Sequence, residues 1–229
     1  AYPPPPPLGI AHLIRGFSTN VANYRPLGVG SVCPEAAFSD TGTIKYGWPA
    51  GLGSYCAADE RPNDEETSRC CADDPCGVIT QGNGGPTELS YAQTLQRHFI
   101  SKINWTPHFI IDSGRNGNSK PVDCDAWCNV RDAGAGHVPT LNTGLPHVVD
   151  AFFWLKTPGE SDGCTALLPS ATDPMVPDGA CPRFDAMCAS ADSIGGQEGE
   201  PFCPEAGAWF DYEVKMLGAN AVWGVGGDV

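Results

Sequence analysis

Residues 150–163 read D-A-F-F-W-L-K-T-P-G-E-S-D-G, and the stretch changes character halfway along. Residues 151–155 are an apolar and aromatic run of the length of a buried strand, which Pro158-Gly159 stops. The strand delivers a loop that carries Lys156, Glu160 and Asp162 next to Trp154, with Gly159 and Gly163 to let the backbone bend tightly. Two carboxylates, an ammonium and an aromatic at one strand end suit sugar chemistry, because one carboxylate can serve as a general base while the cation holds it ionised. The same residues also read as a solvated turn.

Working outward, Thr87 is placed to cap a helix, with Glu88 in its first turn and Leu89, Ala92, Leu95, Phe99 and Ile103 on one face. Residues 105–112 follow as a strand with the apolar centre F-I-I, ending in the polar loop S-G-R-N-G-N. Strand, helix and strand ending in a charged loop is the grammar of an α/β barrel or a doubly wound sheet, where function collects at the carboxyl ends of strands. Asp112 and Arg115 sit at one such end, and Lys156, Glu160 and Asp162 at another. Near the start, L-I-R-G-F-S-T-N-V-A-N-Y (13–24) reads as a strand running into a polar loop. Residues 206–219 read as a last amphipathic helix with Trp209, Phe210, Val214 and Leu217.

The chain has 229 residues, enough to bury a core, and a formal net charge of −14 with a pI near 4.5. That balance argues against nucleic acid or an anionic membrane surface as partner, but not against a neutral polymer. No stretch approaches the apolar length of a membrane span. Residues 1–8 are proline-rich and read as a stiff linker ahead of a domain over 9–229. Within that domain, residues 28–85 are rich in Gly, Pro, acidic residues and cysteine, and read as an irregular excursion held by disulfides. The eleven cysteines point to an oxidising, extracellular compartment, and their odd number leaves at least one thiol over, free or paired outside this chain. Cys124-x3-Cys128 and Cys71-x4-Cys76 have no histidine at ligand spacing, and the acidic cluster Asp59, Glu60, Asp64, Glu65, Glu66 lacks a calcium-loop pattern, so no metal or cofactor is expected. Asn104-Trp105-Thr106 is a glycosylation sequon.

The blocks R-G-F-S-T-N-V-A-N-Y (15–24), H-F-I-I-D-S-G-R-N-G (108–117), D-A-W-C-N-V (125–130), P-T-L-N-T-G (139–144), the stretch 150–163, P-R-F-D-A-M-C (182–188) and A-G-A-W-F (206–210) stand in one order along the chain. That ordered set resembles glycoside hydrolase family 6, the inverting cellulases. The resemblance implies a distorted seven-stranded β/α barrel of TIM-like kind, whose loops enclose a β-1,4-glucan. It further implies Asp162 as catalytic base, with Arg115 and Lys156 as the cations flanking it. Lys156, Glu160, Arg115 and Asn129 become substrate-binding positions, and Trp127 the tryptophan that stacks on a glucosyl ring. Cys128 and Cys188 match a family disulfide, with Cys164 and Cys181 as a plausible local pair.

One part of the pattern is missing. The family's proton donor is an aspartate in an upstream P-D-R-D-C type of motif that this sequence does not contain; Arg61-Pro62-Asn63-Asp64 resembles it only superficially. An inverting site needs two carboxyl groups about 6.5–9.5 Å apart. The expectation is therefore an incomplete barrel, completed by an N-terminal part or a companion chain that carries the acid. Two alternatives stand beside it: a non-catalytic extracellular glycan-binding protein derived from the family, or a member of a fibre or wall assembly anchored through its polyproline end.

Overall fold

The computed structural model describes residues 13–28, 87–118, 126–165, 184–195 and 197–223. The proline-rich start, residues 29–85 of the Cys-rich stretch with its acidic cluster, and Cys181 lie outside the described residues. Three strands, β1 (Gly16–Thr19), β2 (His108–Asp112) and β3 (Val149–Phe153), form one parallel sheet in that order. Helix α1 (Glu88–Ile103) connects β1 to β2, and α2 (Asp211–Ala219) closes the described chain. The architecture is thus α/β with a parallel sheet.

Helix α1 begins where the sequence places it. Thr87 and Ser90 cap it reciprocally: the Thr87 hydroxyl accepts from the Ser90 amide at 3.4 Å and the Ser90 hydroxyl accepts from the Thr87 amide at 3.2 Å. Asn104 ends it in the left-handed conformation, φ 51°. Leu89 and Ala92 pack from the helix onto Phe109 and Ile111 of β2 and onto Val149 and Phe152 of β3, with Leu27, Leu145 and Val148 completing the cluster. Alternation along β2 buries Phe109 and Ile111 under the helix and turns Ile110 to the opposite face.

Element boundaries differ from the sequence pattern for identifiable reasons. Strand β3 spans Val149–Phe153 rather than 151–155, because its ladder with β2 ends at the Asp112–Phe153 pair. The Leu155 and Lys156 amides donate instead to the Asp112 carboxylate, at 3.3 and 2.9 Å. Strand β2 starts at His108, after Pro107, which has no N–H to give a ladder. Helix α2 starts at Asp211 rather than at 206, because Gly207 adopts φ 84° and Trp209 forms an extended antiparallel bridge with Glu160. Trp209 is consequently 59% exposed.

The two ends of the sheet carry different chemistry. At the amino ends, Arg15, His108 and Asp150 join the three strands: Arg15 NH2 and His108 Nδ1 each lie 2.8 Å from Asp150 Oδ1. At the carboxyl ends the backbone opens into the loops that hold the site.

Candidate active site

Asp112 is the organiser of the carboxyl end. Its Oδ2 accepts from the Ala22 amide at 3.1 Å and the Lys156 amide at 2.9 Å, and its Oδ1 from Gly114 at 2.9 Å and Leu155 at 3.3 Å. One buried carboxylate at the strand end that the sequence marked thereby fixes the loops after all three strands.

These loops converge on Asp162, whose side chain is 9% exposed. Its Oδ2 accepts three donors: the Tyr24 hydroxyl at 2.8 Å, Arg115 NH1 at 2.6 Å and the Asn129 amide at 3.0 Å. Among the described residues its Oδ1 faces the Lys156 ammonium, at 3.6 Å. The Asp162 amide donates to Asn129 Oδ1 at 2.8 Å, so Asn129 grips both the backbone and the carboxylate of the same residue. Asn129 adopts φ 41° to do so, and its Nδ2 donates to Ser161 Oγ and to the Gly163 carbonyl at 3.2 and 3.1 Å.

Arg115 has no exposed side-chain surface. Its NH2 donates to the Ala22 carbonyl, its guanidinium lies 4.1 Å from the centre of the Tyr24 ring, and NH1 also reaches Glu213 Oε1 at 3.3 Å. Burial works against its charge, but Tyr24, Asp162 and Glu213 outweigh burial and hold the guanidinium above its ordinary range. Burial pushes the Tyr24 hydroxyl upward as well, so Tyr24 remains a donor. Glu213 is pushed up to about 7, again chiefly by burial, with Arg115 opposing.

Around this centre lies an exposed rim. Lys156 Nζ is 3.8 Å from Glu160 Oε2, and the Glu160 side chain is 40% exposed. Trp127 is 45% exposed. It stands next to Cys128, which is bonded to Cys188 across 60 residues of sequence. That disulfide lies under the Asp162 loop: a Cβ on Gly163 would sit 2.9 Å from Cys188 Sγ, which is why glycine stands there. Cys164 is also disulfide-bonded, while its expected partner Cys181 lies outside the described residues. Cys203 is a free, buried thiol whose Sγ donates to the Ile194 carbonyl.

The structure thus brings together Asp162, Arg115, Lys156, Glu160 and Asn129, and places Trp127 at the rim beside the disulfide. Asn104, the sequon residue, is exposed at the end of α1, away from the carboxyl ends of the strands. Arg115 and Asn129, expected as substrate-binding positions, are both buried and both contact Asp162. Trp154 is partly buried: it packs against the cluster of Tyr24, Val130 and Leu217 and donates Nε1 to the His137 carbonyl at 2.9 Å.

Sequence reasoning missed Tyr24 and Glu213. A signal for Glu213 existed, since it lies three residues after Phe210 and four before Leu217, on the apolar stripe of α2. Among the described residues no cluster of three or more metal-ligating side chains occurs, and no helix is long and apolar enough to cross a membrane.

A family model described as "Glycosyl hydrolases family 6" matches residues 69–221, beginning inside the stretch that composition marks as an excursion. "Exoglucanase 3" of Agaricus bisporus is 38% identical over 154 residues, covering 67% of this chain and 30% of its own length. "Probable 1,4-beta-D-glucan cellobiohydrolase C" of Aspergillus terreus is 36% identical over 216 residues, covering 93% of this chain and 32% of its own. The chain therefore spans about a third of the length of these relatives. Among solved structures, cellobiohydrolase II (Cel6A) from Humicola insolens in complex with glucose and cellotetraose matches with a TM-score of 0.53 and 27% identity. That match covers 90% of this chain and 40% of the other.

Proposed function

Because this chain belongs to glycosyl hydrolase family 6, we propose that it forms the base side of a site for inverting hydrolysis of β-1,4-glucosidic bonds in cellulose or a related β-glucan. The observation that carries this reading is the asymmetry of Asp162. Among the described residues, three donors occupy Oδ2 and Oδ1 is left to a single ammonium at 3.6 Å. Oδ1 takes a proton from the attacking water as the water oxygen bonds to the anomeric carbon. The glucosidic C–O bond breaks at the same time, and its electrons go to the leaving oxygen, which an acid protonates. Trp127 offers a flat apolar surface to a glucosyl ring, and Lys156 and Glu160 offer polar contacts to its hydroxyls. Arg115, Asn129 and Tyr24 position the base.

The acid comes from outside the described residues. Of the carboxyls that share a cation with Asp162, Glu213 has no exposed surface and cannot meet a leaving oxygen, while Glu160 is tied to Lys156 on the same loop. The sheet supports an incomplete barrel: Ile110 and Phe153 are exposed on the face opposite α1, and β1 has one edge with no partner among the described residues. Parallel sheets are ordinarily covered on both faces. An N-terminal part or companion chain that covers this face and carries the acid completes the site. The Cys128–Cys188 disulfide supports a secreted protein, and exposed Asn104 is accessible for glycosylation.

The test is an anomer-resolved NMR assay of the complete natural protein on cello-oligosaccharides. Initial release of the α-anomer supports inversion. Binding to β-glucan with no turnover by the complete protein removes the hydrolase reading. It would support the glycan-binding alternative, which the lack of an acid among the described residues favours.

A further inference from the structure

We propose that Glu213 is a positioning residue for the base: carrying its proton it leaves Arg115 NH1 to Asp162, and losing that proton it competes for the same nitrogen. The proposal rests on the assignment of Asp162 as base. Glu213 lies in the first turn of α2 with no exposed side-chain surface, and Arg115 NH1 stands between two carboxyls, 2.6 Å from Asp162 Oδ2 and 3.3 Å from Glu213 Oε1. Glu213 Oε2 makes no hydrogen bond to the described residues. A neutral carboxylic acid fits this arrangement: its carbonyl oxygen accepts the longer bond from Arg115, and its other oxygen carries the proton.

Charge gives the same answer. With Glu213 neutral, the cations Arg115 and Lys156 face the two carboxylates that they pair with, Asp162 and Glu160. Ionising Glu213 places a further negative charge on a carboxyl with no exposed side-chain surface, next to a base that depends on the same cation. The groups that face Glu213 are Arg115 from the loop after β2, Asp162 and Lys156 from the loop after β3, Tyr24 from the loop after β1 and Cys203 ahead of α2. On its own helix, Asp211 and Lys215 pair with each other on the exposed side. Burial places the transition near 7, within the range where a secreted hydrolase meets changing pH.

The experiment follows the Arg115 side-chain nitrogens by NMR in the full-length protein, isotope-labelled at arginine and assigned with Arg115→Lys, between about pH 5 and about pH 9. The expected result is a step centred about 7 that disappears in Glu213→Gln. Alongside it, the alkaline limb of kcat moves up by at least about one pH unit in the variant. A flat Arg115 signal in the unaltered protein overturns the proposal whether or not the variant folds. A step that survives Glu213→Gln, or an alkaline limb that does not move, overturns it too. A step lost in the variant with no hydrolysis at any pH supports the Glu213–Arg115 coupling and removes the hydrolase reading instead.

Discussion

Replacing both Cys128 and Cys188 by alanine removes the cross-link without leaving a buried hydroxyl in its place, since both sites are fully buried. The two residues are 60 apart in sequence. In the chain-entropy picture, closing a loop of that length removes about 14 cal/mol/K from the unfolded chain, or about 4 kcal/mol at about 25 °C. For a domain of this size that corresponds to a fall in melting temperature of about 8–16 °C. The bridge between Val130 and Ser193 and the Arg131–Glu200 ion pair join the same two segments in the folded state. They do not replace the disulfide, because its effect is on the unfolded ensemble. Urea titrations of the parent and the double variant, with the slope checked for two-state behaviour, measure the loss. A loss below about 1 kcal/mol would refute the reasoning. Because Gly163 lies against Cys188 Sγ, turnover should also fall more than glucan affinity does.

Three further outcomes are expected. Tyr24→Phe keeps the ring under Arg115 but removes one of the three donors to Asp162 Oδ2, and kcat should fall about 10-fold with KM little changed, read from steady-state kinetics. Gly163→Ala brings a methyl within 2.9 Å of Cys188 Sγ and should cost about 1–3 kcal/mol in a denaturant titration. Stability should also fall from acid to neutral pH. Glu88 and Glu213 are each raised by burial from 4.5 to about 7, so the folded state holds their protons more tightly than the unfolded chain does. That contribution is complete below the unfolded value of 4.5 and lost as pH rises through about 7. Each group contributes at most about 3 kcal/mol. Urea midpoints measured across this window in the parent and in Glu213→Gln check the sign: the parent should lose stability relative to the variant as pH rises, and a parent that gains on the variant contradicts it.

Much of this was legible from local sequence, and the exceptions share one cause. Helix α1 could be read because its cap at Thr87 and its apolar stripe are both encoded within a few turns. Strand β3 was misplaced by two residues, because Trp154 and Leu155 are apolar enough to extend it while Asp112, 43 residues upstream of Leu155, takes the Leu155 amide. Trp209 read as helical for the same kind of reason: its bridge to Glu160 comes from a distant loop. In the site, Lys156, Glu160 and Asp162 were visible together because one loop carries them. Tyr24 reaches Asp162 across 138 residues and Glu213 reaches Arg115 across 98. No periodicity or local motif reports such distances. Glu213 lies on the apolar stripe of α2, which marks it as buried, but an acid in the first turn of a helix also reads as a solvated complement to the helix dipole, and neither signal names Arg115 as its partner.

The measurement that bears most directly on the role of Asp162 is the kinetics and glucan binding of Asp162→Asn in the complete protein, compared side by side. The account predicts that turnover falls by about 10²–10⁴-fold, the range for loss of a general base, while binding by calorimetry stays within a few-fold of the parent. Asparagine keeps the size of the side chain and its contact with the Tyr24, Arg115 and Asn129 donors, so folding is not the variable. Turnover equal to that of the parent, with the base reduced to an amide, would contradict the account.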